Sequence, residues 1–96
     1  MLKILMVCGA GLGSSFACEM TVEAVLKDLN VTAKLEHSDV TSVAGSRADI
    51  IISATNFEKL VNRYETTATK IFLNRLVDKK EIKEKLVPVL IEKGEL

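Results

Sequence analysis

The sequence has no tryptophan, one tyrosine and three phenylalanines, so it offers few aromatic rings on which nucleic-acid bases could stack. Its 13 basic and 13 acidic residues cancel, which leaves no basic field to attract nucleic acid or an anionic membrane. No stretch approaches the roughly 20 apolar residues that span a bilayer. These shortages argue against nucleic-acid binding and against direct membrane insertion.

Cysteine and histidine are also scarce. Cys8 and Cys18 are the two cysteines, and His37 is the single histidine, so the spacing suits neither a zinc site nor a Cys-x-x-Cys redox pair. We therefore expect no bound metal, no cofactor and two reduced thiols. The apolar run near the N-terminus is about five residues long, which is too short for the core of a secretory signal. A cytoplasmic protein is the expectation.

The apolar content is high enough for a packed core. Hydrophobic residues make up 48% of the 96 positions, and this length suits one domain, residues 1–96. Residue patterning predicts strands over 2–7, 31–36, 49–53 and 70–73, and helical segments over 14–29, 40–44, 57–64 and 78–93. This alternation predicts an α/β fold with a four-stranded parallel sheet. Right-handed crossovers favour strand order 2-1-3-4, with helices on both faces in three α/β/α layers.

The two long helices carry more specific signals. For the first we expect one apolar stripe, composed of Phe16, Ala17, Met20, Ala24 and Leu29 with Val25 and Leu26 beside it, and Asn30 as a stop signal. For the last helix, Asp78 is the expected N-cap with Glu81 three residues later. Pro88 predicts a kink or a late restart, and the charged run over 79–85 is expected to form the solvated face.

The most informative stretch follows the first strand. An apolar run ends on Cys8, and a loop follows that is rich in glycine and serine: Gly9, Gly11, Gly13, Ser14 and Ser15. A strand, a glycine-rich turn and a helix start together direct backbone N–H groups at one anion. Such donors also stabilise a thiolate and lower the pKa of a cysteine. The alternative is an inert, buried cysteine at a strand end.

The predicted topology brings further residues to this region. In strand order 2-1-3-4 the chain changes direction between strands 1 and 3, and ligands bind at such a switch point. Thr55 and Asn56 follow strand 3 and are candidate rim residues, although both types are also common in turns. Arg75 follows strand 4 and is a third candidate, with a solvated charge as its alternative.

Other phosphate-binding motifs fit the sequence less well. It contains neither G-x-G-x-x-G nor G-K-[ST] at this loop. A cysteine phosphatase needs an arginine six positions after the nucleophile to hold the phosphoryl group, and Ser14 occupies that position. The loop is therefore expected to store a phosphoryl group for transfer rather than to hydrolyse it.

The motif Val-Cys-Gly-x-Gly-x-Gly-Ser-Ser resembles the enzyme IIB component of bacterial sugar phosphotransferase systems. The likeness is nearest to the ascorbate-type branch within the lactose/cellobiose and galactitol-like group, and residues 48–55 and the Asn74–Arg75 pair share it. The resemblance implies a phosphatase-like P-loop after strand 1. It assigns S-phosphocysteine to Cys8 and phosphate binding to Gly9, Ala10, Gly11, Leu12, Gly13, Ser14 and Ser15.

The same resemblance implies partners. A phosphohistidine on a IIA protein would donate the phosphoryl group, and the sugar bound in a IIC membrane transporter would receive it. A transcriptional regulator is a possible further partner. A low-molecular-weight cysteine-phosphatase-like enzyme and a phosphate-sensing regulatory module remain the alternatives. We expect Cys18 to be a core residue and His37 to be a surface residue.

Overall fold

Strands and helices alternate along the chain. The computed structural model describes residues 2–7, 12–38, 43, 45, 47–64, 66–75 and 77–96, with the backbone alone for residues 12–15. Within these residues the elements are β1 (Leu2–Val7), α1 (Leu12–Asp28), β2 (Ala33–Ser38), β3 (Ile50–Ala54), a 3-10 turn (Thr55–Phe57), α2 (Glu58–Val61), β4 (Thr69–Leu73) and α3 (Lys79–Glu92).

The four strands form one parallel sheet in the order β2-β1-β3-β4, which confirms the predicted topology. Val7 at the end of β1 pairs with Ser38 of β2 and with Ser53 of β3. Because the strands are parallel, their carboxyl ends meet at one edge of the sheet. We call this the carboxyl edge, and it carries the segments that follow Val7, Ser38, Ala54 and Leu73.

Alternate residues of the strands are buried on opposite faces. On one face, Ile4 and Met6 of β1 pack in a core with α1 and α3, which we call the α1/α3 core. On the other face, Leu5 and Val7 pack with Val61 of α2 in a second core. Fully burying one such aliphatic side chain contributes roughly 1.5–3 kcal/mol. Helices therefore cover both faces of the sheet, as predicted.

The buried face of α1 differs from the predicted stripe. Phe16 and Met20 are 54% and 59% exposed, whereas the buried positions of the helix are Cys18, Val22, Val25 and Leu26. Apolar residues occur around much of this helix, so two helical stripes fit the sequence about equally well. The observed one places two β-branched valines against the sheet. Cys18 is a core residue, as predicted.

The end of α1 follows from Asn30. Its φ of 57° lies in the left-handed region, which glycine and asparagine tolerate best. The N–H of Val31 then donates to the carbonyl of Leu26 at 2.9 Å, and the N–H of Asn30 donates to that of Lys27 at 3.2 Å. This pair of bonds is a Schellman motif, so the predicted stop signal is confirmed. It also turns the chain into the edge strand β2.

Pro88 does not interrupt α3, which runs from Lys79 to Glu92. A proline has no N–H, so the carbonyl of Glu84 lacks its usual partner. Residues 84 and 88 are both exposed, so water can bind that carbonyl. The predicted restart is therefore wrong, and the kink stays a prediction. The short helix predicted over 40–44 falls on residues of which the structure describes only Val43.

Candidate functional site

The connection between β1 and α1 holds Cys8 and three of the seven residues predicted to bind phosphate. β1 ends at Val7 and α1 begins at Leu12. The residues between them, Cys8, Gly9, Ala10 and Gly11, lie outside the described residues. The structure therefore fixes the two ends of this loop: one at the carboxyl end of a central strand, the other at the start of a long helix.

The helix α1 begins at Leu12, two residues earlier than the predicted start at residue 14. Leu12, Gly13, Ser14 and Ser15 consequently form its first turn, and the two serines lie inside the helix rather than at its cap. The first four N–H groups of an α-helix have no partner within it, and they carry the positive end of the helix dipole. No acidic residue stands in this turn, so its backbone suits an anion.

The strand order makes the end of β1 the switch point of the fold. β1 lies between β2 and β3 in the sheet. The chain leaves β1 through α1 toward one side and later returns through β3 on the other. Binding sites of open α/β sheets lie outside the carboxyl ends of strands at such points. Cys8 is the first residue after β1.

Two of the candidate rim residues follow β3, the strand next to β1 in the sheet. Thr55 and Asn56 follow β3 directly in the 3-10 turn, and both are exposed. Because Ser53 pairs with Val7, this turn lies at the same edge as the end of β1. Their predicted position after the third strand is confirmed. Contact between these two residues and a ligand stays a prediction.

A buried hydroxyl, that of Ser53, lies beside the end of β1, because Ser53 pairs with Val7. Ser53 is fully buried, and its Oγ has no hydrogen-bond partner among the described residues. A buried polar group without a partner costs roughly 1–3 kcal/mol of stability. This cost could not be predicted from the sequence, since a serine near a strand end looks like the start of a turn.

Replacing Ser53 by alanine is therefore expected to raise the free energy of unfolding by about 1 kcal/mol. Urea unfolding of both proteins measures the change. The matched control is Ser38→Ala, because Ser38 pairs with the other side of Val7 but is only half-buried. A clear loss of stability in Ser53→Ala would show instead that the hydroxyl is bonded in solution.

The third rim candidate, Arg75, lies just beyond β4 and is exposed. Its backbone is held from α3. The carboxylate of Glu81 accepts the N–H of Asn74 at 2.7 Å and that of Arg75 at 2.9 Å. Lys85 lies one turn further along α3, and its Nζ donates to Glu81 at 2.8 Å and to the carbonyl of Phe72 at 2.6 Å.

These contacts confirm one prediction for α3 and contradict part of another. Asp78 caps the helix by accepting the N–H groups of Lys80 and Glu81 at 3.0 and 3.2 Å, as expected. The charged run over 79–85, however, is not wholly a solvated face, because Glu81 and Lys85 bind the end of β4. Their spacing of four residues indicates an ion pair within the helix, but it does not indicate the contacts with β4.

The same contacts control the charge of Glu81. Burial of the carboxyl group is the largest single influence and would by itself raise the pKa. The hydrogen bonds from Lys85 and from the backbone of Asn74 and Arg75 together outweigh burial, and they lower the pKa of Glu81 from 4.5 to about 2. Glu81 is therefore ionised throughout the physiological range.

Glu81→Gln is expected to lower the free energy of unfolding near pH 7 by about 1–2 kcal/mol, because charged hydrogen bonds are lost. The folded state has the lower pKa, so the ionised carboxylate stabilises it fully above 4.5 and progressively less as the pH falls toward 2. The difference between the two proteins should shrink with the pH. Urea unfolding between about pH 7 and about pH 3 measures it. A pH-independent difference would contradict this account, and the exposed Glu84→Gln is the control.

At the β2 side of the carboxyl edge, side chains of α1 contact the end of β2. The Nδ1 of His37, near the end of β2, lies 3.0 Å from a carboxylate oxygen of Glu19. The imidazole ring of His37 also packs edge-on against the ring of Phe16, with the two ring centroids 6.1 Å apart. His37 is partly exposed, in line with the predicted surface position. Phe16 and Met20 are exposed apolar side chains of α1, and Phe16 and Glu19 of this helix both contact His37.

Two kinds of feature are absent from the described residues. No group of three or more histidine, cysteine or acidic residues there is arranged to hold a metal ion. None of the helices in that part of the chain has the length and apolar composition needed to cross a membrane.

Comparison with known proteins shows the family of this chain. Residues 3–87 match the family described as "PTS system, Lactose/Cellobiose specific IIB subunit". The chain belongs to this family. It is accordingly a IIB component of a sugar phosphotransferase system (PTS), and a transferase. The matched range includes the loop after β1, the rim candidates and the α3 side chains that bind the end of β4.

One relative agrees with this family assignment, and one solved structure agrees with the fold. An "Ascorbate-specific PTS system EIIB component" from Mycoplasma pneumoniae is 36% identical over 91 residues, which cover 93% of this chain and 95% of that protein. The structure of a lactose-specific IIB component domain from Streptococcus pneumoniae superimposes with a TM-score of 0.60 at 18% identity, covering 94% and 95% of the two chains. At that identity the second likeness shows the fold alone.

Proposed function

We propose that this IIB subunit carries the phosphoryl group on Cys8. It accepts the group from a phosphohistidine of a IIA protein and passes it to a sugar bound in a IIC membrane transporter. The observation that carries the proposal is the sequence position of Cys8, directly after β1 at the switch point and four residues before α1 begins. The family supplies the reaction class, and this position supplies the nucleophile.

The chemistry consists of two displacements at phosphorus. In the first, the thiolate of Cys8 forms an S–P bond while the N–P bond of the phosphohistidine breaks, and the electron pair stays on the imidazole nitrogen. In the second, a sugar hydroxyl oxygen forms an O–P bond and releases its proton to water, while the S–P bond breaks and its electron pair returns to the thiolate. Donors aimed at the phosphoryl oxygens stabilise both transition states.

The N–H groups of the first turn of α1 are suited to that role. They come from Leu12, Gly13, Ser14 and Ser15, and the loop residues Gly9, Ala10 and Gly11 would add further donors. The position at which a cysteine phosphatase carries arginine is Ser14. We therefore propose transfer to an acceptor rather than release of inorganic phosphate as the main reaction.

The name of one relative supports a choice of acceptor. The name of the relative that is 36% identical specifies ascorbate, and we propose ascorbate as the first sugar to test. The proposed location is cytoplasmic and peripheral to the membrane through the IIC transporter. A transcriptional regulator is a further possible partner, with no role for nucleic acid or for direct membrane insertion.

Reconstitution tests this proposal. The protein is incubated with a phosphorylated IIA protein, and membrane vesicles with the IIC transporter and ascorbate are then added. We expect the protein to gain one phosphoryl group and to lose it to ascorbate. Rapid release of inorganic phosphate from an aryl phosphate, lost in Cys8→Ser, would favour the phosphatase alternative. Phosphate-dependent partner binding that survives Cys8→Ala, with no transfer, would favour the regulatory alternative.

A further inference from the structure

The turn after β4 is held more firmly than its exposed position requires. Both carboxylate oxygens of Glu81 are engaged, one by the N–H of Asn74 and the other by the N–H of Arg75. The carbonyl of Arg75 in turn accepts the N–H of Asp78 at 3.4 Å. The peptide groups on both sides of Arg75 are thus bonded, although its side chain is exposed.

Glu81 departs here from the usual role of its position. A glutamate three residues after an N-cap normally reaches back to the N–H of the cap residue. In this protein the N–H of Asp78 donates to Arg75 instead, and Glu81 reaches past the cap to the end of β4. Lys85 strengthens the link by binding Glu81 and the carbonyl of Phe72 together.

The guanidinium of Arg75 has no ion-pair partner within the described part of the chain. Several lysines in the same residues do have one: Lys3 and Lys34 pair with Glu36, Lys79 pairs with Asp28, and Lys85 pairs with Glu81. Arg75 follows β4 at the carboxyl edge, where β4 is separated from β1 by β3 alone. Neighbouring strands lie roughly 4.8 Å apart, so the two strand ends are about 10 Å apart.

We infer that Glu81 is a positioning residue, which fixes the turn after β4 so that Arg75 can bind the phosphoryl group of the incoming phosphorylated donor protein. This inference rests on the proposed function and deepens it. Guanidinium binds phosphoryl oxygens through paired hydrogen bonds. A turn that is already fixed has less conformational entropy to lose on binding. Arg75 therefore favours the phosphorylated donor over the unphosphorylated one.

Steady-state transfer from a phosphorylated IIA protein tests this role. Arg75→Ala is expected to raise KM for the donor about tenfold to hundredfold and to leave kcat within about threefold. Its binding to the unphosphorylated donor should change by less than about twofold. Arg63→Ala is the matched control, because Arg63 is exposed and its neighbour Asn62 is bonded to Lys70 near the start of β4, away from the carboxyl edge. We expect KM to stay unchanged in this variant.

A double-mutant comparison separates positioning from general stability. Glu81→Gln should raise KM about threefold to tenfold in the native background, and by less than about twofold when Arg75 is already alanine. Glu84→Gln, on the same helix and exposed, should change neither value. Circular dichroism at the assay temperature verifies that each variant is folded, and Glu81→Asp provides a second carboxylate variant if Glu81→Gln is unfolded.

The outcomes are distinguishable. A native protein that accepts a phosphoryl group on Cys8 while Arg75→Ala keeps its KM would overturn this inference and leave the proposed function standing. Equal effects of Glu81→Gln in both backgrounds would also overturn it, because Glu81 would then act independently of Arg75. A native protein that accepts no phosphoryl group from an active donor would overturn the proposed function and this inference with it.

Discussion

Replacing Cys8 by serine is expected to abolish sugar phosphorylation in a reconstituted system, with a loss of at least about a thousandfold. The reacting species is a thiolate, and a serine hydroxyl stays protonated at neutral pH without an adjacent general base. The substitution keeps the side chain small, so the fold should survive. Formation of sugar phosphate from the phosphorylated IIA protein, with IIC vesicles present, measures the loss.

The second cysteine provides the matched control for this prediction. Cys18 is 1% exposed in the α1/α3 core, with Val22 and Val25. Cys18→Ala should lower the free energy of unfolding by about 1 kcal/mol and leave the transfer rate within about twofold. Sugar phosphorylation that persists in Cys8→Ser, or that disappears in a folded Cys18→Ala, would be incompatible with Cys8 as the phosphoryl carrier.

Ile52→Ala is expected to lower the free energy of unfolding by about 2–5 kcal/mol. Ile52 is 1% exposed in β3, one of the two central strands. Its neighbours in the sheet are Met6 and Ile71, both of them buried. Strands on both sides hold the backbone in place, so the cavity cannot collapse fully. Because small domains are stable by only roughly 5–15 kcal/mol, this variant should lose a large share of its stability.

An exposed isoleucine separates burial from residue type in this experiment. Ile91 lies near the end of α3 and is 57% exposed. Ile91→Ala should change the free energy of unfolding by no more than about 0.5 kcal/mol, since alanine is also a good helix former. Urea unfolding of the three proteins measures both values. Comparable losses in the two variants would contradict the assignment of Ile52 to the core.

The sheet could be predicted from the sequence because its signals are local. The nearly continuous apolar run of β1 indicates a strand buried on both faces. The alternation from Val31 to Leu35 indicates an edge strand, and β2 does lie at the edge of the sheet. Once the strands alternate with helices, the handedness of crossovers leaves few possible orders. Boundaries were less well predicted, with β2 beginning two residues later than expected at Ala33.

Helix orientation could not be predicted in the same way. The apolar residues of α1 are distributed around much of the helix, so the sequence does not decide which stripe faces the sheet. Phe16 and Met20 turned out to be exposed, and Val22 and Val25 buried. Packing against β1 and β2 makes the choice, and that is a tertiary effect. The continuity of α3 through Pro88 also depends on the three-dimensional structure, because the exposed positions of residues 84 and 88 let water bind the carbonyl of Glu84.

Some parts of the candidate site could likewise be predicted from the sequence, and others could not. Cys8 and its glycines could be proposed as site residues from the sequence because consecutive residues form the motif. Thr55, Asn56 and Arg75 could be placed at the carboxyl edge from the strand order alone. The contacts of Glu81 and Lys85 with the end of β4 depend on how α3 packs against the strand. A charged pair four residues apart does not reveal that packing.

Mass mapping after incubation with a phosphorylated IIA protein is the most direct test of phosphoryl transfer through Cys8. Trypsin cleaves after Lys3 and Lys27, so a single peptide carries Cys8, Cys18, Ser14 and Ser15. Fragmentation of that peptide is needed to assign the site. The proposal predicts one phosphoryl group on the sulfur of Cys8, which disappears when the IIC transporter and sugar are added. A phosphoryl group on another residue, or none on Cys8 with a donor active toward a second IIB subunit, would contradict it.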